Sequence, residues 1–457
     1  MRRPFHSVLS SEELDAIEHR VIAAAQGGNE EEAWKALTPL LSAQASQREA
    51  ALSLTGIVDR RCLSIDRALQ VLAQVEHAHD GDANVLAAVG VALEGARDID
   101  QLNSEPPEHP LFLSVLGKLK TLAATTKGDA LEPLVLRGLG TAARMVGRQC
   151  DEVAAEAFRR LLELDPQDPV NHYNYGLFLK TRGRFREGID ANTASARLRT
   201  KPDQSTEWNL GICATGAGEG RVALDVWKRM GQNIEMGRFG LPEGRYVQCK
   251  VRLAERPLAE RTAATDDPGL EETIWIERLS PCHGIVRSVL YGSLGVDYGD
   301  VVLFDGAPIT YHTYGDNKVP VFPHLATLLR SHYRLFDFAA TQDEAGRIAD
   351  ISGELAADAV VYSHTEGFQI LCAECWRDSE LDHEQHRPQE RHVVSGRIAA
   401  PQQLDARDLL AQIDRALETH PGCSLYAPDL CEAAGLRERA IVERRRFDLL
   451  KNNARTS

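Results

Sequence analysis

The spacing of apolar residues changes about halfway along the chain. From Ser10 to Met230, apolar residues recur every three to four positions, which is the period of amphipathic helices. From Glu272 onward, short stretches alternate apolar and polar residues or are rich in β-branched and aromatic residues, which is typical of strands. The pattern therefore predicts a helical first half followed by an α+β second half.

A second regularity repeats within the helical half. Gly140, Gly176 and Gly211 recur about every 35 residues, and each follows a leucine or an aromatic residue. A small residue, a large residue and a proline follow the glycines in a fixed order, at Ala154, Phe158 and Pro166, at Gly188, Asn192 and Pro202, and at Ala223 and Trp227. This spacing predicts helical hairpins in which small residues of one helix admit large residues of the next.

These residues resemble the tetratricopeptide repeat (TPR) family. The resemblance implies TPR-like repeats over 130–235 and degenerate TPR-like helical repeats over 1–129, where Gly56 and Gly90 lie 34 positions apart. The proline-rich segment 98–110 marks a break in the stack. An α-solenoid of this kind implies a concave groove that binds a protein or peptide partner.

The second half divides into four segments. Residues 236–271 are predicted to be a linker, and 272–331 a small antiparallel β region whose strands lie between Thr273 and Tyr314 and are followed by a short helix at 319–333. Residues 332–435 contain strand, helix, strand twice over, which is the order of a ferredoxin-like α+β domain, with a Cys/His loop at 367–391. Residues 436–457 are predicted to be a basic helix and tail; a less regular α+β fold remains the alternative for 332–435.

Composition limits the classes of partner. The formal net charge of −15 disfavours nucleic acid or an anionic membrane as the main partner. No apolar run is long enough for a membrane span, and the first residues lack the apolar segment of a secretory signal. Nine scattered cysteines do not form a disulfide framework, so we expect a cytoplasmic protein.

Five residues of the predicted first helices are expected to face the groove. Counted from the repeated glycines, they are Arg137, Tyr173, Asn174, Trp208 and Asn209. Asparagine both donates to and accepts from a peptide backbone, and tyrosine or tryptophan offers flat contact area at low entropic cost. Some TPR proteins clamp a carboxylate with lysine and asparagine, but this chain lacks the lysine at the fifth helix position. The alternative is that these side chains pack on neighbouring helices.

The Cys/His loop contains a candidate metal site. Cys372 and Cys375 form C-x-x-C, and His383 and His386 follow, with His392 as a substitute for either histidine. Two thiolates and two imidazoles can complete a tetrahedral shell, so the sequence predicts a structural Zn²⁺. The alternatives are a solvated loop with unligated cysteines and a redox pair; a redox pair is disfavoured because acidic neighbours raise a thiol pKa.

A second cysteine defines the alternative function, an enzyme. Cys282 adjoins His283, and adjacent residues of a strand point to opposite faces, so His312 or His324 would have to act as base. A catalytic zinc would use Glu374 or Glu384 as base. The alternative is therefore a zinc-dependent or Cys/His-dependent hydrolase in the second half, with the repeats recruiting substrate.

Overall fold

The chain folds into two compact units. The structure, a computed structural model, describes residues 8–97, 109–290, 294–314, 317–355, 358–364 and 393–456. The first unit contains residues 1–232, 236–241 and 256–269, and the second contains 233–235, 242–255 and 270–457. The predicted linker 236–271 thus includes structured segments of both units.

The described part of the first unit is helical, as the apolar period predicts. Its helices are α1 (Ser11–Gln26), α2 (Glu30–Ala43), α3 (Arg48–Asp59), α4 (Ile65–Ala78), α5 (Ala83–Ala92), α6 (Leu111–Thr125), α7 (Glu132–Val146), α8 (Asp151–Leu164), α9 (Pro169–Thr181), α10 (Phe185–Leu198), α11 (Gln204–Gly216) and α12 (Gly220–Arg229). Helices α7 to α12 pack as three successive hairpins. Within the described residues, no helix combines the length and the apolar character needed to cross a bilayer.

The repeated glycines allow the two helices of each hairpin to approach closely. A Cβ atom added to Gly140 would lie 2.8 Å from the ring of Phe158, and one added to Gly211 would lie 2.5 Å from the indole of Trp227. In the middle hairpin, the Gly176 Cβ would lie 2.5 Å from Nδ2 of Asn192, so a buried asparagine takes the place of the aromatic residue. The small and large residues identified in the sequence are therefore packing partners.

Six strands of the second unit form a sheet that closes on itself. They are β3 (Cys249–Ala254), β4 (Glu271–Arg278), β5 (His283–Val286), β6 (Val301–Phe304), β7 (Thr310–Tyr314) and β8 (Asn317–Leu329); β1 (Ile234–Met236) and β2 (Pro242–Gly244) form a separate pair. Strand β3 pairs antiparallel with β4 and parallel with β8, which closes a five-stranded, barrel-like ring, and β7 adds to β8. Inward side chains such as Val251, Ile276 and Phe304 fill it.

Strand β8 corrects the helix predicted at 319–333. Val319 and Phe322 precede prolines, and a proline ring disfavours the helical conformation of the residue before it. The backbone pairs instead with three strands, β3, β6 and β7. The helix was predicted from the short apolar run after His324, and that run belongs to strand β8.

A four-stranded antiparallel sheet forms the rest of the second unit. Its strands are β9 (Arg334–Thr341), β10 (Val360–Ser363), β11 (Val393–Ala400) and β12 (Ser424–Tyr426), in the order β10-β11-β9-β12. Its helices are α13 (Arg347–Asp350), α14 (Ala406–Thr419), α15 (Pro428–Ala433) and α16 (Arg437–Thr456). The first strand-to-strand connection carries only short helical turns, whereas α14 buries Leu409 and Ile413 in the core of this sheet.

Candidate partner-binding site

The five predicted groove residues lie on the first helices of the three hairpins. Helix α7 carries Arg137, helix α9 carries Tyr173 and Asn174, and helix α11 carries Trp208 and Asn209. Helix α9 contacts both α7 and α11. Equivalent positions of adjacent first helices therefore form one row across the hairpins.

Arg137 is engaged within the first unit. Its guanidinium donates to Oδ2 of Asp168 at 2.8 Å and to Oδ1 of Asn171 at 3.0 Å. Its side chain keeps 30% of its exposure. These contacts hold Arg137 against the start of the next hairpin. Packing on a neighbouring helix is the alternative given above for the predicted groove residues.

Asn209 also forms a hydrogen bond within the first unit, and its partner is a lysine that was not among the predicted groove residues. Lys180 Nζ donates to Oδ1 of Asn209 at 2.9 Å, and both residues are buried. Lys180 follows Tyr173 by seven positions, and residues seven apart share one face of a helix. Lys180 therefore lies on the predicted groove face of α9, about two helical turns after Tyr173 at the fifth position.

Tyr173, Asn174 and Trp208 are partly exposed, as is Arg137. Trp208 packs edge-on against Trp227, with ring centroids 5.3 Å apart. Its indole Nε1 is buried, and the described part of the chain offers it no hydrogen-bond acceptor. These three side chains offer aromatic area and a polar amide to a ligand.

A basic cluster lies near the ends of helices α7 and α9. We define it as Arg97, Arg144, Arg148 and Arg182. Arg144 lies seven positions after Arg137, so the helical period places it on the predicted face. Sequence reasoning missed the cluster because it stopped at the fifth and sixth helix positions.

Three arginines of the basic cluster pair with two carboxylates from the same helical region, Arg144 with Glu94 and both Arg148 and Arg182 with Asp151. Arg144 contacts Oε2 of Glu94 at 2.5 Å, and Arg182 donates to Oδ1 of Asp151 at 3.0 and 2.6 Å. Burial first, and then repulsion by Arg182, lower the pKa of Arg148 to about 9. Asp266 and Arg261 also lie close enough to Arg148 to affect its pKa, Asp266 by raising it and Arg261 by lowering it.

The turn at Cys282 is a buried structural element. Ser280 Oγ accepts the backbone N–H groups of Cys282 and His283, each at 3.1 Å, and lies 2.5 Å from His283 Nδ1. Cys282 Sγ lies 3.8 Å from the same hydroxyl. All three residues are fully buried, and burial lowers the pKa of His283 to about 4. The geometry caps a turn and presents no exposed nucleophile.

The predicted zinc ligands Cys372, Cys375, His383 and His386 lie outside the described residues, as does His392. Within the ranges that the structure describes, no cluster of three or more histidine, cysteine, aspartate or glutamate side chains could hold a metal ion. The zinc site therefore stays a prediction from the sequence.

Comparisons with known proteins give only distant likenesses. No protein-family model and no curated protein match the chain. The solved structure of MamA from AMB-1 is 16% identical over 49% of this chain and 92% of that chain, with a TM-score of 0.25. PilF from Pseudomonas aeruginosa is 18% identical over 48% of this chain and 90% of that chain, with a TM-score of 0.30. MamA residues 41 to the end from Desulfovibrio magneticus RS-1 is 16% identical over 39% and 92%, with a TM-score of 0.26. We base no inference on likenesses of this size.

Proposed function

We propose that the first unit is a TPR-like α-solenoid that binds a protein or peptide partner through the face formed by α7, α9 and α11. The observation that carries this proposal is the row of equivalent positions across three hairpins whose glycines admit Phe158, Asn192 and Trp227. Stacked hairpins of this type present a continuous surface of first-helix side chains. The protein then acts as a scaffold or adaptor.

Tyr173, Asn174 and Trp208 are proposed as the residues that contact the partner directly. Their partial exposure supports this role, because an interface anchor must be accessible before binding. Arg137 and Asn209 have internal partners in Asp168 and Lys180, so we propose that they shape the groove and contact the partner only through exposed atoms. Truncation of an aromatic anchor typically costs about 2 kcal/mol or more of binding free energy.

The test compares a double variant, which carries both Trp208→Ala and Asn174→Ala, with the control variant Val222→Ala. Val222 is 37% exposed and lies on α12, the second helix of its hairpin. Affinity capture with the wild-type chain identifies binding proteins, and calorimetry with a purified partner then measures each variant. We expect the double variant to weaken binding at least tenfold and Val222→Ala to leave it unchanged. If the folded double variant binds the partner as tightly as wild type does, the groove is not the binding site.

Two finer assignments of the second unit are also proposals. The strand order β10-β11-β9-β12, with every described pairing antiparallel, supports a ferredoxin-like sheet. A structural Zn²⁺ held by Cys372, Cys375, His383 and His386 is supported by their spacing alone. The hydrolase alternative gains no support at Cys282, because that thiol is fully buried beside Ser280.

A further inference from the structure

The hairpins α7–α8, α9–α10 and α11–α12 meet at two joints that differ in composition. The first joint, between α8 and α9, contains an aromatic cluster in which the ring centroid of Phe158 lies 6.4 Å from that of Tyr175 and 5.8 Å from that of Phe178. The buried guanidinium of Arg182, at the end of α9, also donates across this joint to Oδ1 of Asp151 at 3.0 and 2.6 Å. Opening the first joint would expose aromatic area and separate a buried arginine from its carboxylate, and both changes are unfavourable.

The second joint, between α10 and α11, is lined by small and polar side chains. The buried residues that face it are Gly188, Asn192 and Ser195 on α10 and Thr206 and Cys213 on α11. A Cβ atom on Gly188 would lie 2.7 Å from Sγ of Cys213, so the two helices are close together. The polar contacts between these side chains are nevertheless long. The hydroxyl oxygens of Ser195 and Thr206 are 3.5 Å apart, and Asn192 Nδ2 lies 4.0 Å from Cys213 Sγ.

The polar side chains of the second joint make shorter hydrogen bonds within their own hairpins. Asn192 Nδ2 donates to a carbonyl oxygen of its own helix at 2.8 Å, and Ser195 Oγ donates to the carbonyl oxygen of Pro169, at the start of α9, at 2.8 Å. On the other side, Thr206 Oγ1 donates to Oδ2 of Asp203, which caps α11, at 2.6 Å. These bonds would stay intact if α10 and α11 separated, so they do not hold the second joint closed.

Asn192 weakens the closed joint further. Its side chain is fully buried, and within the continuous described stretch 109–290 its Oδ1 has no hydrogen-bond donor. A buried acceptor of this kind has lost its hydration without compensation, and water would restore the hydrogen bond when the joint opens. In the other two hairpins the same position is filled by the aromatic rings of Phe158 and Trp227.

Lys180 and Asn209 connect the hairpins across the second joint by a buried hydrogen bond. Lys180 Nζ on α9 donates to Oδ1 of Asn209 on α11 at 2.9 Å. Arg186 and Glu219 also pair between the two hairpins, but their side chains are 76% and 40% exposed. Because exposed ion pairs contribute little to stability, the buried hydrogen bond holds the joint closed more strongly than the surface pair.

We propose that the second joint is a hinge at which the hairpin α11–α12 moves as a rigid body, with the Lys180–Asn209 hydrogen bond as its latch. Stacked repeats contact only their neighbours, so one joint can open while the others stay closed. The inference rests on the proposed function of the repeats and deepens it, because the hinge divides the proposed groove: Tyr173 and Asn174 lie on α9, and Trp208 lies on α11. Movement at the hinge changes the distance between these anchors, which lets the groove adapt to partner segments of different width.

The thiol of Cys213 reports the opening, since it is fully buried between α10 and α11. The full-length protein is treated with N-ethylmaleimide under native conditions, and peptide mass spectrometry measures the labelling rate of each cysteine. We expect Cys213 to be labelled at least tenfold faster than Cys249 and Cys282, which are 1% and 0% exposed in the second unit. Labelling of Cys213 no faster than that of these two cysteines would overturn the hinge.

Hydrogen exchange separates movement of the hairpin from unfolding of its helices. A rigid-body movement leaves the backbone hydrogen bonds of α11 intact, so the open fraction calculated from Cys213 labelling should exceed the fraction calculated from amide exchange in α11. Each rate is first divided by the rate of an unfolded control peptide that contains the same residues. Equal open fractions would mean that Cys213 is exposed by local unfolding, which would also overturn the hinge.

Lys180→Met and Arg186→Ala form a matched pair of variants, because each removes a polar contact across the same joint. Lys180→Met removes the buried donor to Asn209 and should speed Cys213 labelling at least fivefold. Arg186→Ala removes a surface contact and should leave the labelling rate within twofold of wild type. Equal rates in the two variants would overturn the latch; if Lys180→Met fails to fold, the wild-type measurements still decide whether the hinge exists. Trp208 and Asn174 are unchanged in every protein compared, so the labelling result stands or falls independently of the calorimetric test of the groove.

Discussion

Oδ2 of Asp266 accepts a 2.9 Å hydrogen bond from the backbone N–H of Arg148, a residue 118 positions earlier in the chain. Burial is the largest influence on this carboxyl and raises its pKa to about 6, although Arg148, Arg182 and Arg261 favour the ionised form. A folded-state pKa above the unfolded value means that the folded state binds the proton more tightly. The stabilisation from Asp266 is therefore present at low pH and is lost as the pH rises through about 6.

We predict that lowering the pH from 7 to 5 stabilises residues 256–269 in wild type by about 1 kcal/mol relative to Asp266→Asn, which has no proton to bind. The measurement is the difference in the free energy of local opening, from hydrogen exchange at residues 256–269, between the two proteins at each pH. Asp267→Asn should follow wild type over this range, since its pKa is lowered by its hydrogen bond with Arg256. An equal pH dependence in Asp266→Asn would contradict the prediction.

The glycine contacts predict a pair of opposite substitution effects. Gly211→Ala places a Cβ within 2.5 Å of the Trp227 ring, so we expect a loss of about 1 to 3 kcal/mol in the free energy of unfolding. Gly56→Ala is the control, since no heavy atom lies within 4 Å of its Cβ position in helix α3. That change should be neutral or stabilise the helix by about 0.5 to 1 kcal/mol. Urea unfolding followed by far-ultraviolet circular dichroism distinguishes the two.

The buried His283 predicts acid sensitivity in the second unit. Burial lowers its folded-state pKa to about 4, below the unfolded value, so its stabilisation is present above about pH 6.5 and is lost as the pH falls. From pH 7 to 5 we expect a loss of about 2 kcal/mol from this residue.

The measurement for His283 is urea unfolding at pH 7 and 5, read by pulsed hydrogen exchange at β5 and β6. His283→Leu should reduce the pH dependence of the barrel, while His19→Gln, a change at an exposed residue of α1, should leave it as in wild type. A His283→Leu variant with unchanged pH dependence would show that the imidazole is not the group responsible.

The zinc prediction is tested by the number of zinc ions bound per chain. Protein purified without chelators should contain about one equivalent of zinc per chain by elemental analysis, and Cys375→Ser should contain much less. Cys282→Ser is the matched control, because this cysteine is fully buried next to Ser280 and should leave the zinc content unchanged. Zinc-free wild-type protein would rule the site out.

The sequence predicted the hairpins well because their signal is local. Gly211 and Trp227 are separated by 16 positions, and each helix carries its own apolar period. The same local logic failed at 319–333, where the conformation is decided by pairing with strands β3, β6 and β7. The period of a short apolar run does not reveal strand partners that are distant in the sequence.

The candidate site was only partly predictable for the same reason. Tyr173 and Trp208 follow from counting along one helix, whereas the Lys180–Asn209 hydrogen bond depends on how two helices pack. Residues 256–269 were predicted to belong to a linker, because DDPG indicates a turn and gives no sign that Asp266 contacts Arg148. Charge pairing across more than a hundred positions requires the three-dimensional structure.

The parallel pairing of β3 with β8 has a consequence for biosynthesis. The ring cannot close until Val321, Phe322 and Pro323 have left the ribosome, about 70 residues after their partners in β3. Non-local strand pairing is slow to form, because the entropic cost of closing the long loop precedes the gain from its contacts. The hairpins α7 to α12 need only their own neighbours and can fold during synthesis. A nascent chain would therefore carry completed helical repeats while the strands of its ring are still unpaired, and a ribosome stalled before residue 321 would display open strand edges that are prone to aggregation.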